Sequence, residues 1–377
     1  MADSNPPDAA AAPAAETTTT DSATVPTQTT TVPAQTTTEP AQTSDTGILP
    51  ASHWAPIEEV LDDGDSGYSD LQSSTASLSS SILQYRTIHG RTYHGDVGKA
   101  ESWEPNDAQH VFSMDVHHHM CLLMEDGKLC LTPIKDDIKK VVDIGTGTGI
   151  WAIDFGDQYP NAEVIGTDVS PIQPAWVPPN VKFEIDDANL DWTWPDNTFD
   201  FVHVRFLIGC IEDWRKFYRE AYRCCKPGGW IEHQEPSLLW FAQGEDVPED
   251  SPMGQWGKVF QEGGRKFGRT FTLVDEGGQQ KYMEEAGFTD ITVKEFQVPS
   301  GDWPKDPHQK EIGTFARLAL DSDIEGYILY MWSAIMGWSH AEIQVYIAHL
   351  RRQIRTPGLR PWFLRRVVYA RKPENAE

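Results

Sequence analysis

Short apolar runs alternate with helical patterns through the middle of this 377-residue chain. The run at residues 141–144 is followed by alternating glycines and then by a helical pattern, which predicts a strand, a glycine turn and a helix. Further runs at 163–166, 181–185 and 201–206 predict three more strands. Strands that alternate with helices form a parallel sheet, so we expect an α/β fold built on nucleotide-binding βαβ units.

The second half of the chain changes character. An apolar run at 230–233 predicts a fifth strand, and two late strands are predicted at 291–298 and 362–370. Between the late strands almost everything is helical, so we expect an antiparallel pair at the sheet edge with the helices laid over the site. We define this helical lid insertion as residues 300–358.

The amino-terminal part is divided differently. Its first 80 residues contain twelve Asp or Glu and neither Lys nor Arg. They lack the apolar content needed to offset chain entropy, so residues 1–76 are predicted to be a disordered, acidic Thr/Pro-rich arm. Capping serines and apolar spacing predict two or three helices, starting with one near 78–94, in a cap at 77–135. The domain that carries the chemistry is then expected at 136–372.

Charge and cysteine content exclude several classes of function. The net charge of −26 repels phosphate backbones, so we expect no direct nucleic-acid binding. The five cysteines show no metal-ligand spacing, and the consecutive His117, His118 and His119 point in different directions, so we expect no metal. The apolar runs are too short to span a membrane, and a cytoplasmic location is expected, with a nuclear one as an alternative.

The glycine turn indicates which ligand binds. Its acidic-x-Gly-x-Gly-x-Gly pattern begins at Asp143, whereas Ile150 stands where the dinucleotide fingerprint requires a third small residue. A carboxylate beside the turn suits a ligand with a cationic end and would repel a pyrophosphate. S-adenosylmethionine (SAM) has an ammonium and a sulfonium and no phosphate. We therefore predict SAM as the cofactor, held at the residues of this turn: Asp143, Gly145, Thr146, Gly147 and Gly149.

Predicted strand ends carry further candidates for cofactor binding. Asp168 can accept hydrogen bonds from ribose hydroxyls, and Asp187 with Ala188 can bind adenine. Arg205 ends the fourth strand and is therefore expected near the cofactor. Tyr93 belongs to a polar and aromatic cluster before the sheet that either closes over the cofactor or only anchors its helix.

Three side chains are candidates for a catalytic base. His233 lies in the run that begins the predicted fifth strand and Glu235 comes two residues later, and ligands of open α/β sheets bind at the carboxyl ends of strands. One histidine of the 117–119 run, for which we take His118, is the third candidate, with a packing role as its alternative. A base is needed only where the methyl acceptor must lose a proton.

Several motifs together resemble a known family. VVDIGTGTGIWAIDF, EVIGTDVSPIQPAWVPPNVKFEIDDA, FDFVHVRF and CKPGGWIEHQE resemble the class I SAM-dependent methyltransferases. SILQY, GRTYH, MEEAGF and WPKDPHQKEIG are similar to the fungal LaeA-like group in particular. The resemblance implies a Rossmann-like seven-stranded sheet of order 3-2-1-4-5-7-6. It also implies that the glycine turn lines the methionine end of SAM, with Asp168 at the ribose and Asp187 and Ala188 at the adenine.

Two functions remain open at this point. The first is methylation of a small molecule of fungal secondary metabolism, in which aromatic side chains of the helical insertion form an acceptor pocket. The second is a regulator of secondary metabolism or development that keeps the SAM fold and acts in a complex with a velvet-type protein. The resemblance covers both kinds of protein.

Overall fold

A mixed β-sheet with helices on both faces forms the centre of the protein. The computed structural model describes residues 46–54, 85–95 and 99–376. The strands in chain order are β1 (Arg86–Ile88), β2 (Arg91–Tyr93), β3 (Lys140–Ile144), β4 (Glu163–Asp168), β5 (Val181–Ile185), β6 (Phe199–Arg205), β7 (Cys225–Ala242), β8 (Thr289–Pro299) and β9 (Pro361–Arg371).

Eight α-helices surround or follow these strands in the described residues. They are α1 (Ala108–Met124), α2 (Ile150–Gln158), α3 (Trp214–Cys224), α4 (Pro252–Phe267), α5 (Gly278–Ala286), α6 (Pro307–Ser322), α7 (Ile324–Leu329) and α8 (His340–Ile354). A π-helical turn, Tyr330–Ile335, connects α7 to the loop before α8. Within the described part of the chain, none of these helices combines the length and apolarity needed to cross a bilayer.

The strand order confirms the predicted topology. Seven strands lie in the order β5-β4-β3-β6-β7-β9-β8, which becomes 3-2-1-4-5-7-6 when they are numbered within this sheet alone. The five strands β3 to β7 are parallel, and β9 runs antiparallel to both β7 and β8. Because helices cover both faces, the apolar residues of the central strand β3 do not alternate: Val141, Val142 and Ile144 are all buried.

The helix predicted near 78–94 is wrong in its described part. Strands β1 and β2 form a hairpin there, with Arg86 opposite Tyr93. His89 and Gly90 make the two-residue turn and both have positive φ, 49° and 85°, as hairpin turns of this length require. Within the described residues of the predicted cap, α1 is the one helix, and residues 55–84 lie outside the described part of the chain.

A short part of the predicted disordered arm is packed against the body of the protein. In residues 46–54, the Leu49 N–H donates to Gln255 Oε1 at 2.7 Å, and Gln255 Nε2 donates to the Gly47 carbonyl at 3.1 Å. Trp54 is 8% exposed, and its ring lies 5.5 Å from that of Tyr346 on α8. The disorder prediction is therefore wrong for 46–54, while 1–45 and 55–76 lie outside the described residues.

Removing the Trp54 ring should destabilise the protein. We expect Trp54→Ala to lower the free energy of unfolding by about 3 kcal/mol, because a large aromatic side chain leaves a cavity against α8. Chemical denaturation measures the change. Trp176, which is 85% exposed, supplies the matched control, and Trp176→Ala should cost less than about 0.5 kcal/mol. Equal costs for the two variants would mean that residues 46–54 are not packed in solution.

Candidate functional site

A large cavity opens at the carboxyl ends of β3, β4, β5 and β6. One end is formed by the glycine turn after β3 and by the strand ends of β4 and β5, and the other by apolar side chains from β7, β9, α4 and α6. The first end is lined by Asp143, Gly145, Thr146, Gly147, Asp168, Asp187 and Ala188. The second end is lined by Phe206, Leu238, Trp240, Trp256, Leu320 and Phe363.

The glycine turn must approach its neighbours too closely for any side chain. Gly145 and Gly147 have φ values of 70° and 57°. A Cβ at Gly145 would lie 2.4 Å from Leu207 Cδ2, and one at Gly147 would lie 2.3 Å from Met114 Cε on α1. These positions therefore require glycine both for backbone conformation and for space. The missing side chains let Leu207 and Met114 pack directly against the turn.

Asp143 is fixed beneath this turn. Its Oδ2 accepts a hydrogen bond from Thr146 Oγ1 at 2.6 Å, and its Oδ1 lies 2.7 Å from His203 Nδ1. His203 stacks on Trp151 with ring centroids 3.7 Å apart, and burial lowers the pKa of His203. The neutral imidazole therefore donates from Nδ1 and leaves the negative charge on Asp143. This charge faces the cavity from a side chain that is only 3% exposed.

Asp168 has the geometry of a hydroxyl acceptor. Its Oδ2 accepts from the Gly147 N–H at 2.9 Å and its Oδ1 from the Ser170 N–H at 2.9 Å. Burial raises the pKa of Asp168 to about 6, and the nearby charge of Asp143 acts in the same direction. Each carboxylate oxygen keeps a lone pair for a ligand. Two adjacent ribose hydroxyls would match this pair of acceptors.

Asp187 and Ala188 line the cavity beyond β5. Asp187 Oδ1 accepts from the Asn189 N–H at 2.9 Å, and Oδ2 accepts from the Lys99 N–H at 2.7 Å. The second contact brings the segment before α1 over this end of the cavity. An adenine amine would therefore share Asp187 with the backbone of Lys99.

The structure does not bring His233 and Glu235 to the cavity lining. Both are fully buried in β7, where His233 Nδ1 lies 2.6 Å from Tyr218 OH and Nε2 lies 2.8 Å from Glu235 Oε1. Glu235 Oε1 also accepts from the Leu207 N–H at 2.7 Å. His233 and Glu235 therefore hold the backbone at Leu207, just after β6, in place. We propose neither residue as a catalytic base.

Within the run 117–119, the histidine that lines the cavity is His117 and not His118. His118 Nε2 lies 2.9 Å from Asp154 Oδ2, and its Nδ1 lies 3.1 Å from Arg205 Nη2. His117, one position earlier on α1, lines the cavity with its ring 4.2 Å from Phe206. Because Arg205 also lines the cavity, the structure keeps it among the candidate cofactor residues.

His117 is held neutral by its surroundings. Burial, with the positive charge of Arg365, lowers the pKa of His117 well below its usual value. Arg365 Nη1 lies 3.4 Å from His117 Nε2, and its guanidinium lies 4.3 Å from the ring of Phe206. Arg365 was not predicted as a site residue, because the pattern of the last strand does not show that this arginine is buried next to His117.

Tyr93 anchors the hairpin rather than lining the cavity. Its ring is fully buried and lies 5.7 Å from that of Tyr330. The neighbouring Arg91 makes two ion pairs, to Asp107 at 2.6 Å and to Asp323 at 2.7 Å. These contacts agree with the anchoring alternative for the cluster. Asp323 in turn contacts His110, a residue of the cavity lining that sequence analysis did not single out.

A buried carboxyl behind the site gives a pH-dependent prediction. Burial and the nearby Glu232 raise the pKa of Glu125 to about 8, and its Oε1 has no hydrogen-bond partner. A carboxyl pKa raised on folding costs stability as pH rises from its ordinary value towards 8. Glu125→Gln should therefore stabilise the protein by about 1–3 kcal/mol at pH 8, with the gain fading towards pH 5. Denaturation at both pH values measures it, and the exposed Glu284→Gln should change neither.

The cavity fits a nucleoside that carries a cationic amino-acid end. The glycine turn, a buried carboxylate at Asp143 and a two-oxygen acceptor at Asp168 all belong to the cavity lining. Among the described residues, no group of three or more His, Cys, Asp or Glu could hold a metal ion. The fold and this cavity define a class I SAM-dependent methyltransferase.

Comparisons with known proteins agree with that class. Residues 116–293 match the model of a methyltransferase domain. The chain is 35% identical over 319 residues to methyltransferase pytC of Aspergillus terreus, covering 84% of this chain and 97% of that protein. It is 31% identical over 292 residues to the secondary metabolism regulator LAE1 of Cochliobolus heterostrophus, covering 76% and 94%. The protein belongs to the fungal LaeA-like family of SAM-dependent methyltransferases, and SAM is its cofactor.

Solved structures resemble the chain more distantly. A phosphoethanolamine N-methyltransferase 2 from Haemonchus contortus, solved with phosphomonomethylethanolamine and S-adenosylhomocysteine, is 17% identical with a TM-score of 0.44. The match covers 75% of this chain and 62% of that one. A likeness of this size does not bear on the acceptor.

Proposed function

We propose that the protein transfers the methyl group of SAM to a small, apolar acceptor of fungal secondary metabolism. The observation that carries this proposal is the second end of the cavity, where aromatic and aliphatic side chains from four elements form the wall. Apolar walls with a few polar groups are typical of small-molecule pockets. The methyltransferase pytC, the relative described above with 35% identity, supports the same class of activity.

A few polar groups of the cavity lining could orient an acceptor, among them Tyr327, His117 and Ser300. The Ser300 hydroxyl is buried without a hydrogen-bond partner in the described part of the chain. The Tyr327 hydroxyl already lies 2.8 Å from Ser113 Oγ, and Arg365 faces His117 Nε2. An acceptor would therefore be held mainly by apolar contact and shape. Rings such as Phe206 and Phe363 favour a planar or aromatic acceptor.

The chemistry requires little of the protein beyond placement. When bound, SAM supplies an electrophilic methyl group on a sulfonium. The nucleophilic atom of the acceptor forms a bond to that methyl carbon as the carbon–sulfur bond breaks, leaving S-adenosylhomocysteine and, for a protonated nucleophile, a released proton. Correct placement can contribute about 7–11 kcal/mol to such a step. The glycine turn and the apolar wall place the two reactants and exclude water.

A second candidate is a regulatory role in a complex with a velvet-type protein, in the nucleus rather than the cytoplasm. The 31% identity to the regulator LAE1 supports it. In this role SAM binding persists, but the contribution to the cell comes from a protein partner. The acidic arm is then the segment expected to make the contact.

One complementation experiment separates the two roles. Cells lacking the gene receive the wild-type gene, an Asp143→Asn gene or a gene without residues 1–45, and extracts are compared by mass spectrometry. The enzyme role predicts products one methyl group heavier with the wild type and the truncation, but not with Asp143→Asn. The regulatory role predicts that the Asp143→Asn gene restores the wild-type metabolite profile and that the gene without residues 1–45 does not. The truncation ends at residue 45 so that the packed residues 46–54 remain.

A further inference from the structure

A buried histidine of the cavity lining has one ring nitrogen without a hydrogen-bond partner among the described residues. His110, in the first turn of α1, is 1% exposed and belongs to the cavity lining. Its Nδ1 lies 2.8 Å from Asp323 Oδ2, whereas its Nε2 is buried without a hydrogen-bond partner. The nearest carboxylate to Nε2 is Glu104, at 3.8 Å, which is too far for a hydrogen bond.

The ring carries a positive charge in this setting. Burial alone would lower the pKa of His110. The hydrogen bond to Asp323 and the proximity of Glu104 outweigh burial and raise this pKa to about 9. Both ring nitrogens of the imidazolium are donors, and Asp323 uses only one of them. A buried N–H of a charged group without an acceptor costs free energy, which a ligand with an anionic group would recover.

The first half of α1 is fixed against the glycine turn. Met114 Cε occupies the space over Gly147, and Thr148 Oγ1 donates to Asp115 Oδ1 at 2.8 Å. His110 precedes Met114 by four residues and so lies on the same face of the helix. The histidine is therefore presented beside the turn that holds the amino-acid end of the cofactor.

The charges of the cavity leave the cofactor carboxylate in need of a cation. Six carboxylates line the described cavity, at positions 101, 104, 143, 168, 186 and 187. Among those lining residues Arg205 is the one arginine or lysine, and its Nη2 already lies 3.1 Å from His118 Nδ1. An α-carboxylate surrounded by these acids requires a charged donor. His110 offers one, because its Nε2 makes no hydrogen bond in the described residues and has Glu104 only as an ion-pair partner at 3.8 Å.

We propose that His110 binds the α-carboxylate of SAM through Nε2–H, while Asp323 holds the imidazole in position from the lid. Asp143 then receives the ammonium and His110 the carboxylate of the same amino acid. The hairpin takes part as well, because Arg91 donates to both oxygens of Asp323, at 2.7 and 2.8 Å. The inference rests on SAM as cofactor and is independent of the acceptor.

Binding of two ligands that differ by the carboxylate tests the proposal. Calorimetric titration compares SAM with decarboxylated SAM on the wild type and on His110→Leu. We expect His110→Leu to bind SAM about 10- to 100-fold more weakly than the wild type, because the contact to the α-carboxylate is lost. Decarboxylated SAM lacks that group, so both proteins should bind it equally well. His119→Leu, on the same helix but outside the cavity lining, should keep the wild-type affinities for both ligands.

Two results would overturn the proposal. Equal weakening of both ligands by His110→Leu would mean a structural role, and loss of carboxylate preference in Arg205→Gln instead would assign the contact to Arg205. If His110→Leu does not fold, His110→Gln carries the same comparison, since its amide can still contact Asp323. It should show a smaller loss confined to SAM, and an unchanged preference for SAM would count against His110.

Discussion

Asp143→Asn should weaken binding of S-adenosylhomocysteine by at least about 30-fold, because it removes the charge that meets the ligand ammonium in a buried setting. The amide keeps the shape of the side chain and can still contact Thr146 and His203. The loss therefore reports charge rather than packing. Calorimetric titration of purified protein measures the affinity.

A shorter ligand makes this test specific. 5′-Methylthioadenosine keeps the adenine and ribose but lacks the amino-acid end, so Asp143→Asn should bind it as the wild type does. Asp157→Asn, on an exposed position of α2, should leave both affinities unchanged. If the variant lost methylthioadenosine to the same degree, the aspartate would be supporting the site as a whole and would not be contacting the ammonium.

Asp323→Ala should lower the free energy of unfolding by about 3–5 kcal/mol, since it leaves two buried cations without their shared carboxylate. Asp323 is buried and accepts from Arg91 and from the Gly326 N–H, and it contacts His110. Chemical denaturation of the two proteins gives the difference. Asp321→Ala supplies the control, because Asp321 pairs with Arg317 and Arg355 at the surface and should cost less than about 1 kcal/mol.

The same pair of proteins should show a defined pH dependence. The pKa of His110 is raised from 6.5 to about 9 on folding, so its contribution to stability is complete below pH 6.5 and is lost as pH rises through 9. In Asp323→Ala the hydrogen bond that raises this pKa most is removed and only Glu104 still raises it, so the pKa of His110 should fall. The stability difference between wild type and variant should therefore narrow between pH 6.5 and 9, and a constant difference would contradict a charged His110.

The cofactor half of the site is predictable from sequence because its chemistry is local. Asp143 and the glycines are fixed by one turn, and Asp168 and Asp187 follow strand ends whose place in a parallel sheet is set by topology. Each of these residues lines the cavity or, for Gly149, begins the helix next to it. The roles assigned to them remain to be tested by the binding experiments above.

The other half depends on side-chain direction and on long-range packing. His233 and Glu235 lie within β7, which is buried on both faces there, so no alternation of polar and apolar positions indicates which way each points. His117 and His118 differ by one helical step, and only α1 packing decides between them. The hairpin did have a local signal, His89–Gly90 between two short Thr-containing runs, which the serine-capped helix pattern obscured. Arg91, Asp323 and His110 meet only in the folded chain.

The position of the final strand constrains when the protein can assemble. β9 lies between β7 and β8, and its partners in the register run from Trp230 to Ala242 on one side and Thr289 to Pro299 on the other. During synthesis β8 therefore leaves the ribosome before β9, the strand that joins it to the rest of the sheet, has been made. The sheet can close only after residues 361–371 have been synthesised. A chain that ends before β9 would leave β7 with an open edge and β8 without a partner strand, and such exposed edges favour aggregation and degradation over a partly active enzyme.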